Sequence, residues 1–429
     1  MKSFRIYFLL VCLFASLCLK AQLNQTEALQ IVDSIARGNY VSYYGGTDAL
    51  TPAPEGYQPF YVSHYGRHGS RFLTSNKPYH HLIDFLEKAK KDDALTELGQ
   101  QLLPKLRIAY AASKGKSGML TRLGGEQHEQ IAHRMFCNFP EVFANGHFVD
   151  ARSTVVPRTK ASMEHFCAEL KRLNPQLDIR QRTTKEDAYF MKPNTDSVKR
   201  TPQQKAINKL ALKMQDSLKA TINISQRIFK DPAYVTRNKQ NHSKIAYSLF
   251  EIYRDMACLP ELGLDFNIFT PEELFTYFKS ININWMERTG VLPGSEPIYK
   301  RIYATLKNII TWADIVIQEQ TSGASLRFGH DTQVFPLAYI LQLDGCTDFP
   351  VSNWEESYRH FSACNIVPMA GNIQIIFYRK DKSNDILVKF LLQEKEKHIP
   401  VKTDIWPYYH WKDVRKYYMN QIRTSAASL

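Results

Sequence analysis

Close cysteine pairs, apolar runs long enough to cross a bilayer, low-complexity tracts and internal repeats are all missing from this chain, and acidic residues are scarce beside basic ones. Cys12 and Cys18 stand near the start, and Cys137, Cys167, Cys258, Cys346 and Cys364 are spread far apart. That spacing excludes paired-cysteine zinc sites. Five is odd, so the mature chain can form two disulfides at most, and their pairing stays open. A core this large does not depend on such staples. The strongly apolar run Ile6 to Leu19 is shorter than the roughly 20 residues of a membrane helix. With Lys2 and Arg5 before it and Ala21 after it, residues 1–21 read as a secretory signal peptide cut before Gln22. Cys18 would serve a lipid-anchored alternative, but Leu17, not a small residue, precedes it. The expectation is an exported protein, periplasmic or secreted, with no membrane span.

The shortage of acids leaves 55 Lys and Arg against 42 Asp and Glu, a formal charge of +13. Loss of Lys2, Arg5 and Lys20 with the leader removes little of it. Such an excess steers anions inward. No basic run carries interleaved aromatics, which sets nucleic acid aside and leaves a small anionic partner in front. A hydrophobic share of 44% and an aromatic share of 12% exclude general disorder.

The densest chemistry lies in Tyr61-Val62-Ser63-His64-Tyr65-Gly66-Arg67-His68-Gly69-Ser70-Arg71. Phe60 to Ser63 reads as a buried strand, and Gly66 and Gly69 read as the break that ends it. Arg67 and Arg71 are permanent, fork-shaped donors suited to phosphate. A neutral His68 imidazole could attack phosphorus and carry a covalent intermediate. Alone, the stretch also reads as a polar turn with solvated arginines.

The remaining chain alternates helices and strands, which points to an α/β core. Helices are predicted over Tyr79 to Lys91, Leu95 to Ser113, Thr121 to Phe139, Glu296 to Gln320 and Trp411 to Ile422, with another starting at Pro157. Strands are predicted over His147 to Ala151 and Ala324 to Phe328, with an edge hairpin from Asn372 to Arg379 and Ile386 to Leu392. Residues 192–290 change character, first polar and basic, then apolar and aromatic, and read as a mostly helical cap. The division expected is therefore a leader at 1–21, a first core part at 22–191, the cap at 192–290 and a second core part at 291–429. Two look-alikes drop out. Lys114-Gly115-Lys116-Ser117-Gly118 ends like a nucleotide-binding loop, but Tyr110 stands where that motif needs glycine. His128 and His133 are five residues apart, so on a helix they diverge by about 140° and cannot share a zinc ion.

Two further sites follow the design of the first, a strand, a turn and then charged side chains. One is Arg152-Ser153-Thr154 with Arg158-Thr159 at a helix start, and the other is Gly329-His330-Asp331-Thr332. Ligands bind at that strand edge in open α/β sheets, and helix N-termini favour anions. Together they compose one reaction. His68 attacks phosphorus while Arg67, Arg71 and Arg158 hold the equatorial oxygens. His330 donates to the same phosphate, and Asp331 protonates the leaving oxygen and then helps activate water. The arginines supply the charge that a metal would otherwise bring, so no metal and no cofactor is called for.

Arg67-His68-Gly69-Ser70-Arg71 matches the Arg-His-Gly-x-Arg signature of the histidine acid phosphatases, the second branch of the histidine phosphatase superfamily. Gly329-His330-Asp331-Thr332 matches the distal His-Asp motif of that family. Arg152-Ser153-Thr154 with Arg158-Thr159, and Leu120-Thr121 with Gly124, resemble its other blocks. The blocks keep the family order across nearly the whole mature chain. The resemblance implies a phosphoglycerate-mutase-like core, a mixed and mostly parallel sheet flanked by helices, with a helical cap. It also implies His68 as nucleophile, Asp331 as proton donor, and Arg67, Arg71, Arg158 and His330 as ligands of the substrate phosphate. The chain departs from the family at Leu73, where proline is frequent after the first motif. His330-Asp331 replaces the His-Ala-Glu of multiple inositol polyphosphate phosphatases, although the first motif and the basic charge still resemble that group. Inositol polyphosphates such as phytate are the substrates this implies. A broad-specificity or sugar-phosphate phosphatase, similar to glucose-1-phosphatases, is the alternative, and a non-catalytic phospho-ligand binder a remote one.

Overall fold

The computed structural model describes residues 25–43, 45–192, 201–291, 301–347 and 354–427. The leader expected at 1–21, with Cys18, falls outside them, as do residues 193–200 of the expected cap and the first residues of the helix expected from Glu296. The sheet is built from β1 (Tyr57–Arg67), β2 (Phe148–Ser153), β3 (Asp178–Thr183), β4 (Gly323–Gly329), β5 (Asn372–Lys380), β6 (Ile386–Leu392), β7 (Lys395–Glu396) and β8 (Tyr409–His410). Its order is β3-β2-β4-β1-β5-β6-β7, with β8 also paired to β6. The pairs β3–β2, β2–β4 and β4–β1 are parallel, whereas β5 and β6 run antiparallel. The main helices are α1 (Lys77–Lys91), α2 (Glu97–Ser113), α3 (Arg122–Asn138), α4 (Pro157–Leu173), α5 (Pro202–Ala220), α6 (His242–Asp255), α7 (Pro271–Thr289), α8 (Tyr303–Gln318), α9 (Asp331–Ile340) and α10 (Trp411–Ala427).

Alternation along the strands explains the layers. Val62, Ala324, Leu326 and Phe328 pack with α3 and α4 on one face. Tyr61, Tyr65, Ile375 and Phe377 face α8, α9 and α10 on the other. A third apolar cluster joins α1 and α2 to α6 and α7, so the helical region is shared between chain segments far apart in sequence. Local signals start the helices. Thr96 and Thr121 cap α2 and α3 through the Gly99 and Gly124 N–H groups, each at 3.2 Å. Thr201 with Gln204 and Thr270 with Glu273 form full capping boxes at α5 and α7.

The structure corrects the expected strand break. β1 continues through Gly66 to Arg67, because that glycine serves close packing: a Cβ there would lie 2.6 Å from the His64 ring. The hairpin of β5 and β6 also differs from expectation. β5 is an inner strand beside β1 and stays buried from Asn372 to Tyr378. The largely exposed, polar β3 forms an edge instead, and its composition carried no apolar alternation to announce it. Cys137, Cys167, Cys258 and Cys364 are free thiols.

Register aligns the site. Arg67 of β1 stands opposite Gly329 of β4, and Ser153 of β2 opposite Phe328. The loops that follow β1, β2 and β4 therefore leave the sheet side by side at their C-terminal ends.

Candidate active site

The loop after β1 is held from every side. His68 N–H donates to the Gly329 carbonyl at 3.0 Å, and the His68 carbonyl accepts from Ala370 N–H at 2.9 Å. Gly69 N–H donates to Ser162 Oγ of α4 at 3.1 Å, and Ser70 N–H to Gln127 Oε1 of α3 at 2.8 Å. Gly69 and Gly124 meet backbone to backbone: a Cβ on Gly69 would lie 2.3 Å from the Gly124 carbonyl oxygen. This contact gives the Leu120-Thr121…Gly124 block its physical meaning, since the start of α3 buttresses the loop.

His68 is 2% exposed. Its Nδ1 lies 2.9 Å from the Gly69 carbonyl, which can only accept, so Nδ1 carries the proton and Nε2 keeps its lone pair. Burial holds its basicity well below the ordinary imidazole value, and Arg67, Arg158 and Arg71 add to the effect. That favours the neutral ring. His330 stands edge-on to it, ring centres 5.7 Å apart.

Arg71 donates to Tyr40 Oη at 2.8 Å and to the Phe72 carbonyl at 2.9 Å, and its guanidinium stacks on the Tyr40 ring. Arg158 is half-buried at the N-terminus of α4, and its buried Nε has no hydrogen-bond partner among the described residues. Burial and the repulsion of Arg71 and Arg67 pull it down to about 10. Arg67 is fully buried. It donates to the carbonyls of Asn39 and Val367 and pairs with Asp331 Oδ2 at 2.9 Å. Arg152 is absorbed elsewhere, tied to Asp150 and Asp187 at 2.7 and 2.8 Å.

The distal motif opens α9. His330 Nε2 contacts Thr154 Oγ1 at 3.1 Å, which joins the β2 loop to the β4 loop. Burial, then Arg158, lowers the basicity of His330. Asp331 Oδ2 is ion-paired with Arg67 and accepts from Asn39 Nδ2 at 2.9 Å, and Oδ1 accepts from Thr332 N–H at 2.9 Å. Burial alone would raise this carboxyl, but Arg67, His330 and Arg288 hold it below the usual carboxylate range. These cations favour the ionised form of Asp331.

These loops floor a cavity of about 1280 Å³ whose walls come from α5, α6 and α7. His68, Arg71, Arg158, His330 and Asp331 line it, and Arg67 lies beneath the floor. Lys192, Lys219, Arg254, Arg288 and Arg301 add positive charge, against Glu251 and Asp331 as the carboxylates among the lining residues described. Glu251 is paired with Arg254 at 2.8 Å. Asn39, Tyr40 and the charges of α6 and α7 were not singled out from the sequence. They follow no motif spacing, and only folding brings them to the motif loops. The two rejected zinc-type histidines separate as helical geometry demands, His128 buried and His133 half-exposed beside Glu169. Among the described residues no cluster of three or more His, Cys, Asp or Glu side chains is arranged to hold a metal.

A family model described as the histidine phosphatase superfamily (branch 2) matches residues 66–393. No curated protein matches the chain by sequence. Among solved structures, a multiple inositol polyphosphate phosphatase from Bifidobacterium longum, in complex with phosphate, superposes with a TM-score of 0.74 at 17% identity, over 90% of this chain and 98% of that one. The same enzyme bound to inositol hexasulfate gives 0.70 at 18% identity, with the same coverage. A phytase from D. castellii gives 0.65 at 13% identity, over 95% and 89% of the two chains.

Proposed function

Since the chain belongs to branch 2 of the histidine phosphatase superfamily and is a phosphatase, we propose that it hydrolyses phosphomonoesters through a phosphohistidine on His68, with inositol polyphosphates as its substrates. The His68 Nε2 lone pair attacks phosphorus, and the bond from phosphorus to the ester oxygen breaks. The leaving oxygen takes its proton from Asp331. Water then attacks the phosphohistidine, Asp331 accepts the water proton, and the N–P bond opens to return neutral His68 and free phosphate. Arg71, Arg158 and His330 hold the phosphoryl oxygens, and Arg67 contributes its charge from beneath, through Asp331. A docked phosphate offsets the cations that keep Asp331 ionised, which lets it carry the proton it must give.

The observation that carries the substrate class is the charge on the cavity walls. Lys192, Lys219, Arg288 and Arg301, with Arg254 paired to Glu251 behind them, exceed what one phosphoryl group needs, and a ligand bearing several phosphates suits that charge. Residues 192–290 act as the cap that brings most of this charge to the site. The leader pattern of residues 1–21 supports export to the periplasm or medium. Among the described residues no helix is long and apolar enough to cross a membrane.

The test is phosphate release from phytate and from glucose 1-phosphate, in EDTA, by wild type and His68→Ala. Preferential phytate turnover that survives EDTA and is lost in His68→Ala is the expected result. Preference for glucose 1-phosphate would keep the chemistry and move the substrate. Undiminished activity in His68→Ala would end the phosphohistidine reading.

A further inference from the structure

Asn39 lies in the turn Gly38–Tyr40 of the N-terminal lead-in and is 8% exposed. Its Oδ1 accepts from Arg254 Nη2 of α6 at 2.6 Å. A guanidinium can only donate, which fixes the amide orientation and turns Nδ2 toward Asp331 Oδ2, 2.9 Å away. The Asn39 carbonyl accepts from Arg67, the other partner of that same oxygen. Asp331 Oδ2 therefore takes its hydrogen bond from Asn39 and its ion pair from Arg67, whereas Oδ1 accepts from the Thr332 N–H.

We propose that Asn39 is a positioning residue for Asp331: its Nδ2–H holds Oδ2 so that the proton passed to the leaving oxygen rides on Oδ1, and its grip on Arg254 ties that alignment to α6. The inference rests on Asp331 being the proton donor. In the step it serves, the Oδ1–H proton moves to the ester oxygen as that oxygen takes the electrons of the breaking P–O bond, and a carboxylate remains. The charged and titratable groups facing Asp331 are the cations Arg67 below it, Arg288 from α7 and Arg158 from α4, and the His330 ring beside it. Asn39 is the neutral donor among them, so its removal changes alignment without removing a cation.

The experiment compares Asn39→Ala, Asn39→Asp and Asp331→Asn with wild type on two substrates. Glycerol 2-phosphate has an alkoxide leaving group that needs a proton, and p-nitrophenyl phosphate has one that scarcely does. In both Asn39 variants kcat/KM for glycerol 2-phosphate should fall about tenfold, and that for p-nitrophenyl phosphate several times less. The high-pH limb of kcat on glycerol 2-phosphate should move to higher pH, because an ionised Asp331 has lost a donor. In Asn39→Asp the shift should be larger, because a second carboxylate faces the first. Asn39→Asp keeps the volume and the acceptor for Arg254, so it carries the test if Asn39→Ala folds poorly. Equal losses on the two esters with an unmoved pH limb, or no loss at all, would overturn the inference. If Asp331→Asn itself fails to separate the esters, the proton-donor reading falls and the inference with it. If Asp331→Asn separates them and the Asn39 variants do not, only the positioning role falls.

Discussion

Two buried histidine pairs lie within a few ångströms of strand β1, and only one of them faces the cavity. His68 and His330 line it, each with one nitrogen committed to a named partner, and arginines surround them. His64, four residues earlier, packs with His128 against Phe166 and Phe328. His64 Nδ1 and both His128 nitrogens lack a well-formed hydrogen bond among the described residues. Burial depresses the basicity of both pairs, to about 3 for His64 and for His128. Low basicity is thus no mark of the site. A nitrogen tied to a named partner, an opening onto the cavity and surrounding guanidiniums distinguish the candidate site pair from the packing pair.

The comparison breaks most visibly in turnover. His68→Ala should lower phosphate release on the order of 10³-fold or more, with loss of the covalent phosphate trapped by rapid denaturation. His64→Leu should keep both. An equal loss in His64→Leu would erase the distinction. A smaller effect belongs to the cap: Lys192→Ala with Lys219→Ala should raise KM for phytate roughly five- to tenfold and leave glucose 1-phosphate nearly unchanged. A uniform rise on both substrates would assign these lysines to the reacting phosphate instead.

Acid stability probes the packing pair. Unfolded imidazoles titrate near 6.5, and His64 and His128 titrate near 3 when folded. Below 6.5 the unfolded chain binds protons that the folded chain refuses. Stability is therefore intact above that pH and is lost as the pH falls toward 3, by about 1.4 kcal/mol per pH unit for each histidine. Replacing both with leucine should flatten urea midpoints measured between pH 6 and 4, and an unchanged slope would show the pair to be hydrated. The smallest effect is expected at the surface, where His133→Ala should shift stability by no more than about 0.5 kcal/mol.

Most of the helices and the core strands were legible because their signals are local, and the candidate site residues stand in equally local motifs. Thr121 caps a helix within three residues, Pro157 opens one, and Arg67 to Arg71 is a continuous string. The run of β1 through Gly66 was not legible, because it depends on the His64 ring occupying the space a side chain would need. Nor was the inner position of β5 legible, since an apolar strand reads the same wherever it is placed in a sheet.

Residue identity alone determined which groups the chain has for the proposed chemistry: a histidine between arginines, a distal His-Asp and an excess of cations point to phosphate without coordinates. Tertiary structure decided how those groups are used. It placed Arg67 under the floor against Asp331, set Asn39 between Asp331 and Arg254, and brought Lys219 of α5 and Arg288 of α7 to the cavity. The physical reason is range. Charge and nucleophilicity belong to single side chains, whereas proton ownership and a cation-lined wall arise only when residues hundreds of positions apart share one desolvated space.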